Sequence, residues 1–119
     1  MDQSADRRDT RRLFLGPDHA IRFLVKGHAF HNVRITNVSL GGCFAMVSQR
    51  DHALFVQGTV LEQLAFEHPD LPVGPVTAQV CYAIGSQSEE PLLEFLGVGI
   101  HFLSMPEEGL QRLRMFMGV

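Results

Sequence analysis

Two groups of residues in this chain have types and spacings suited to binding chemistry. Arg7-Arg8-Asp9-Thr10-Arg11-Arg12 places four of the chain's ten basic residues in one short run. Further along, Asn37-Val38-Ser39-Leu40-Gly41-Gly42 carries short polar side chains and a glycine pair. A guanidinium is a planar fork that grips phosphate oxygens in pairs and stacks on flat rings. It also matches the O6 and N7 acceptors of guanine. Asn and Ser in a tight turn bond either to the neighbouring backbone or outward to a ligand. A glycine pair lets the backbone turn sharply, and it lets a flat ligand approach where a Cβ would obstruct it. Arg8 and Arg12 are four apart, so a helical turn would put them on one side and an extended arm would spread them.

Asn37, Ser39 and Gly42 form N-x-S-x-x-G, which in isolation describes many turns between strands. Its weight comes from the arginines upstream. A ligand with two guanines and two phosphates would use both groups at once.

Catalytic patterns are missing. His19, His28, His31, His52, His68 and His101 fall into no metal-binding spacing. Ser39 stands in no G-x-S-x-G elbow, and no Gly-rich loop ends in Gly-Lys-Ser/Thr to hold a nucleoside triphosphate. Glu89 and Glu90 lie in a polar hairpin tip, poorly placed for proton transfer. The sequence therefore reads as a binding protein, with no catalytic residue, no metal site and no cofactor.

The elements that position the two groups are mostly strands. Ala20–Lys26 alternates, with Ile21, Phe23 and Val25 on one face. Gly27-His28 is read as a turn, followed by a strand over Phe30–Val38 in which Val33, Ile35 and Asn37 share one parity. Further strands are expected over Cys43–Val47, Thr59–Phe66, Val76–Ile84 and Leu92–Leu103. In the strand starting at Val76, Ala78, Val80, Tyr82 and Ile84 share its face. Gly97 and Gly99 suggest a bend or the close approach of another backbone. The period then becomes helical: Leu110, Leu113, Phe116 and Met117 form a stripe, and Ser104-Met105-Pro106-Glu107 has the form of a capping box. Leu13, Phe14 and Leu15 would give the arginine arm an apolar foot. These signals predict a mainly β chain, a six-stranded antiparallel barrel closed by one helix.

A length of 119 residues is that of one domain, with residues 1–16 as a flexible N-terminal arm, 17–103 as the barrel and 104–117 as the helix. Net charge of −3 argues against DNA or RNA as the partner, because nucleic acid demands a broad basic face. Cys43 and Cys81 have neither metal nor redox spacing and read as small buried hydrophobes. No run approaches a membrane span, and the charged N-terminus is unlike a secretion signal, so a cytoplasmic location is expected.

On Arg8-Asp9-Thr10-Arg11-Arg12 as R-x-x-x-R, and Asn37 to Gly42 as [DN]-x-S-x-x-G, the chain resembles the PilZ domain, the bacterial receptor module for cyclic di-GMP. Leu96-Gly97-Val98-Gly99-Ile100-His101-Phe102 is similar to the family's closing G-V-x-F strand. The resemblance implies a split barrel of PilZ type with cyclic di-GMP held by Arg7, Arg8, Arg12, Asn37, Ser39 and Gly42. Arg7 and Arg11 have the same spacing as Arg8 and Arg12. The latter pair is preferred because the family commonly carries a further arginine just before the first, the place Arg7 would fill. That arrangement implies a stacked pair of ligands, an arm that rearranges on binding, and a separate effector protein as partner, with the chain a monomer or weak dimer. Asn37 stands where aspartate is commoner, and Thr10 where an aromatic is. The alternative function is a PilZ-like adaptor in motility or pilus assembly that binds no nucleotide.

Overall fold

The structure is a computed structural model that describes residues 11–71, 75–85 and 95–118. Seven strands follow in order: β1 Leu13–Phe14, β2 Ala20–Val25, β3 His28–Val38, β4 Gly42–Ser48, β5 Val60–Phe66, β6 Val76–Ile84 and β7 Phe95–Ser104. A 3₁₀ helix, Gln49–Leu54, lies between β4 and β5, and α1, Glu107–Met117, follows β7.

The pairing order β3-β2-β5-β6-β7-β4 returns to β3, closing a six-stranded antiparallel barrel. β1 is added outside this ring. It pairs Leu13 with Val38 and Phe14 with Asn37, on the end of β3 that runs past β2. Backbone pairing, more than apolar contact, holds this end of the arm. Phe14 is 80% exposed and Leu13 36%, and of the expected apolar foot Leu15 alone packs against the core.

The hairpin between β2 and β3 turns at Lys26-Gly27, with Val25 paired to His28. Both turn residues have positive φ, 49° and 83°, which suits the twist of a two-residue hairpin loop. β3 therefore starts at His28, two residues before the expected Phe30.

Inward alternation builds the core. Ile21, Val25, Ile35, Leu61, Leu64, Val76 and Val98 are fully buried. The 3₁₀ helix seats Phe55 against Phe23 and Phe30, at ring-centroid distances of 6.0 and 5.4 Å. Helix α1 buries Leu113, with Phe116 and Met117 packed partly against the core, so the expected helical stripe closes the barrel. The expected capping box does not form. Ser104 is the last residue of β7, paired with Thr77, and the N-cap position falls to Pro106, two residues further on. The helix starts three residues later, behind Pro106, without a side-chain cap.

Two bulges overturn simple alternation. β3 shifts register between Ile35 and Asn37, so Val38 points inward while Asn37 is only half-buried and reaches the exposed Arg12. β6 shifts between Val80 and Tyr82, which turns Tyr82 and Ile84 outward, at 42% and 60% exposure. Gly97 and Gly99 make room for aromatic rings, not for a backbone. A Cβ at Gly97 would strike the Phe44 ring, and one at Gly99 the Tyr82 ring.

Among the described residues, no helix is long and apolar enough to cross a membrane. No group of three histidine, cysteine, aspartate or glutamate side chains there could hold a metal ion.

Candidate ligand cleft

The Asn37–Gly42 segment is a connection between β3 and β4 tied by its own hydrogen bonds. Ser39 N–H donates to the Gly42 carbonyl at 2.8 Å. The Ser39 hydroxyl donates to the same oxygen at 3.3 Å and accepts from Gly41 N–H at 3.3 Å. Ser39 is the one buried polar residue among those described, and its side chain is spent on the turn. Phe102 N–H donates to the Gly41 carbonyl at 2.8 Å, anchoring the turn to β7.

Gly42 is required by the barrel itself. It pairs with His101, and a Cβ on it would land on the Ile100 carbonyl oxygen, 3.0 Å from the Ile100 carbon. The need for glycine therefore arises from the β7 backbone, whatever a ligand demands.

Arg12 reaches this turn from the arm. Its Nη1 donates to Asn37 Oδ1 at 2.6 Å. The bulge in β3 makes the bond possible, because it turns Asn37 out of the core to meet the arm. Asn37 Nδ2 also donates to Thr36 Oγ1, at a long 3.4 Å. A neutral amide holds the guanidinium by one oxygen and leaves its charge uncancelled.

Arg12, Ser39, Gly41 and Gly42 line one side of a cleft of about 280 Å³. Tyr82, Gly99, Ile100 and His101 complete it from β6 and β7, with Cys43 and Cys81. Of the described arginines, Arg12 lines this cleft and Arg11 does not. Arg7 and Arg8 lie outside the described residues. Asn37 is at the rim through its bond to Arg12.

Both cysteines are free thiols. Burial pushes the Cys43 thiol up to about 12, against a smaller lowering by the nearby Arg12 guanidinium. Cys43 is the buried hydrophobe that its apolar run suggests. Cys81 differs, since the β6 bulge leaves it half-buried in the cleft.

Tyr82 and His101 escaped sequence reasoning. Tyr82 belongs by parity to the core face and enters the cleft because of the bulge. His101 becomes Gly42's neighbour only through the β4–β7 register. A second histidine arrangement was equally hidden: His19 and His68 stack at 4.3 Å, with the Phe116 ring edge-on to both.

Solved structures share this fold. MrkH of K. pneumonia in its apo state superposes with a TM-score of 0.73 at 16% identity, over 90% of this chain and 46% of MrkH. The MrkH complex with c-di-GMP gives 0.71 at 14%, over 90% of this chain and 49% of the other. The PilZ domain of YcgR from Escherichia coli, solved with c-di-GMP, gives 0.66 at 19%, over 91% and 88%. The chain thus spans about half the length of MrkH. No curated protein matches its sequence. The family model of the PilZ domain matches residues 6–118, from the arginine run to the end of α1, and the chain belongs to the PilZ domain family.

Proposed function

We propose that this chain is a receptor for cyclic di-GMP that changes the conformation of its N-terminal arm on binding. The observation that carries the reading is the meeting of Arg12 with Asn37 at 2.6 Å, on the rim of a cleft that Ser39 and Gly42 also line. The solved complexes of MrkH and of the YcgR PilZ domain with c-di-GMP support it from the side of the fold.

The chemistry follows from the groups present. Arg12 offers a fork for guanine O6 and N7 or for a phosphate. Asn37 already takes one of its N–H groups, leaving the others for the ligand. Tyr82 supplies a flat wall. At about 280 Å³ the cleft is just below the roughly 300–1,000 Å³ of sites for drug-sized ligands. It would house a base and adjoining phosphate, while a whole dinucleotide needs further walls. Arg8 and Arg7 are the groups to supply them, with Arg7 holding a second, stacked ligand. Fixing each arm residue costs roughly 1 kcal/mol or more. Charge-assisted bonds at about 1.5–3 kcal/mol each offset that cost. The altered surface would be read by a separate effector protein, in the cytoplasm, by a chain that is a monomer or weak dimer.

Calorimetric titration with cyclic di-GMP, GTP and a short RNA tests the reading. Micromolar or tighter binding of cyclic di-GMP, far weaker binding of GTP, and two ligands per chain falling to one in Arg7→Leu are expected. No heat with millimolar cyclic di-GMP would defeat it and leave the nucleotide-free adaptor.

A further inference from the structure

We propose that His101 is a further ligand-contacting residue, whose protonation strengthens anion binding in the cleft below neutral pH. The inference rests on the receptor reading above and concerns the regulation of the same site.

His101 stands on the outer face of β7, exposed between the inward-facing Ile100 and Phe102. Its cross-strand neighbour on β4 is Gly42, and its neighbour two residues back along β7 is Gly99. Two residues without side chains thus flank the imidazole and form the cleft floor beside it. On β6 it pairs with uncharged Gln79.

Among the described residues that line the cleft, His101 is the single imidazole, the side-chain class that gains charge just below neutral pH. Among the described residues that line it, Arg12 is the sole charged side chain and none is a carboxylate. Arg12 stays charged at any working pH. Cys43 keeps its proton throughout, since burial places its thiol near 12. Histidine is the side chain whose ordinary titration lies between pH 5 and 8, while a phosphodiester holds its charge across that range. Acidification therefore adds a cation to the arginine side of the cleft without changing the ligand. Asn37 sharpens the effect, because a carboxylate there would have neutralised part of the added charge.

The test is calorimetric titration of the full chain with cyclic di-GMP at about pH 8 and about pH 5.5. One gained charge-assisted hydrogen bond predicts about tenfold tighter binding at the lower pH. His101→Gln keeps a donor at this position but never charges. Whatever its affinity at the higher pH, it should show no tightening at the lower. His101→Lys should bind tightly at both. Circular dichroism confirms that each variant is folded, and shifts of the His101 ring resonances on adding ligand report contact independently. An unchanged pH slope in His101→Gln, or no slope in the unsubstituted chain, overturns the inference while the receptor reading survives. Absence of cyclic di-GMP binding at both pH values removes the receptor reading and the inference with it.

Discussion

Gly42→Ala separates a glycine demanded by the fold from one demanded by a ligand. The added methyl group would land on the Ile100 carbonyl oxygen, 3.0 Å from the Ile100 carbon and 3.3 Å from His101 Cα. All of these are backbone atoms of β7, held in place by the adjoining pair Cys43–Ile100, so none can swing aside. Relief requires the end of β4 to peel from β7. That movement strains the 2.8 Å bonds from Phe102 N–H to Gly41 and from Ser39 N–H to Gly42. Overpacking typically costs about 1–3 kcal/mol, and the two weakened bonds together about 1 kcal/mol, so a loss of about 2–4 kcal/mol is expected. Domains of this size have about 5–15 kcal/mol in total. At about 4 °C per kcal/mol, the melting temperature should fall by about 10 °C. Thermal and urea unfolding of the ligand-free chain, followed by circular dichroism, measures this directly. A variant that melts within about 2 °C of the unsubstituted protein yet loses cyclic di-GMP would refute the argument. It would return Gly42 to the role of making room for a ligand.

Other consequences follow from the same geometry. Ser39→Ala removes a buried hydroxyl that bonds Gly42 and Gly41, so it should cost about 1–2 kcal/mol of stability in the empty protein as well as weakening binding. Equal urea midpoints would show that the turn does not need it. Arg12→Ala deletes an exposed bond to Asn37, worth under about 1 kcal/mol to the fold. It should abolish most cyclic di-GMP binding with the melting temperature nearly unchanged, and retained affinity in calorimetry would remove Arg12 from the site. Cys43 predicts a pH effect. Its thiol is raised from 9.0 to about 12 in the fold, so the unfolded chain loses this proton first. Stability should therefore fall as pH rises from about 9 towards 12, by up to about 1.4 kcal/mol per pH unit, with no contribution below that window. Urea midpoints of Cys43→Ala should fall less steeply over the same range, and parallel slopes would refute the assignment.

The barrel was legible because most of its strands alternate cleanly, and the helix because its apolar period changed at Leu110. What stayed hidden depended on register. Asn37 and Tyr82 were both placed on inward faces by counting in twos, and a single extra residue at each bulge reversed them. His101 and Gly42 are far apart in sequence and become neighbours only through the β4–β7 ladder. The capping box failed because Ser104 belongs to a strand that runs longer than its apolar pattern. The motif residues were legible by type and spacing, but their internal duties were not: Ser39 also ties the turn, and the β7 backbone itself demands glycine at position 42. Tertiary pairing makes that distinction, and no local pattern encodes it.

The six ladders that close the barrel differ in continuity, and the difference bears on local opening. β2–β3, β2–β5, β3–β4, β5–β6 and β6–β7 each contain a register shift. β4–β7 runs through seven successive pairs, Gly42–His101 to Ser48–Phe95, with none. Bulged ladders leave residues unpaired and offer places for transient fraying. An unbroken one opens only when the domain does. The backbone amides of β4 and β7 should then be the slowest to exchange with deuterated water, and those of the two-residue β1 among the fastest. The cleft thus joins the one unshifted ladder of the barrel to the two-residue β1, and a bound ligand would shift exchange chiefly at β1.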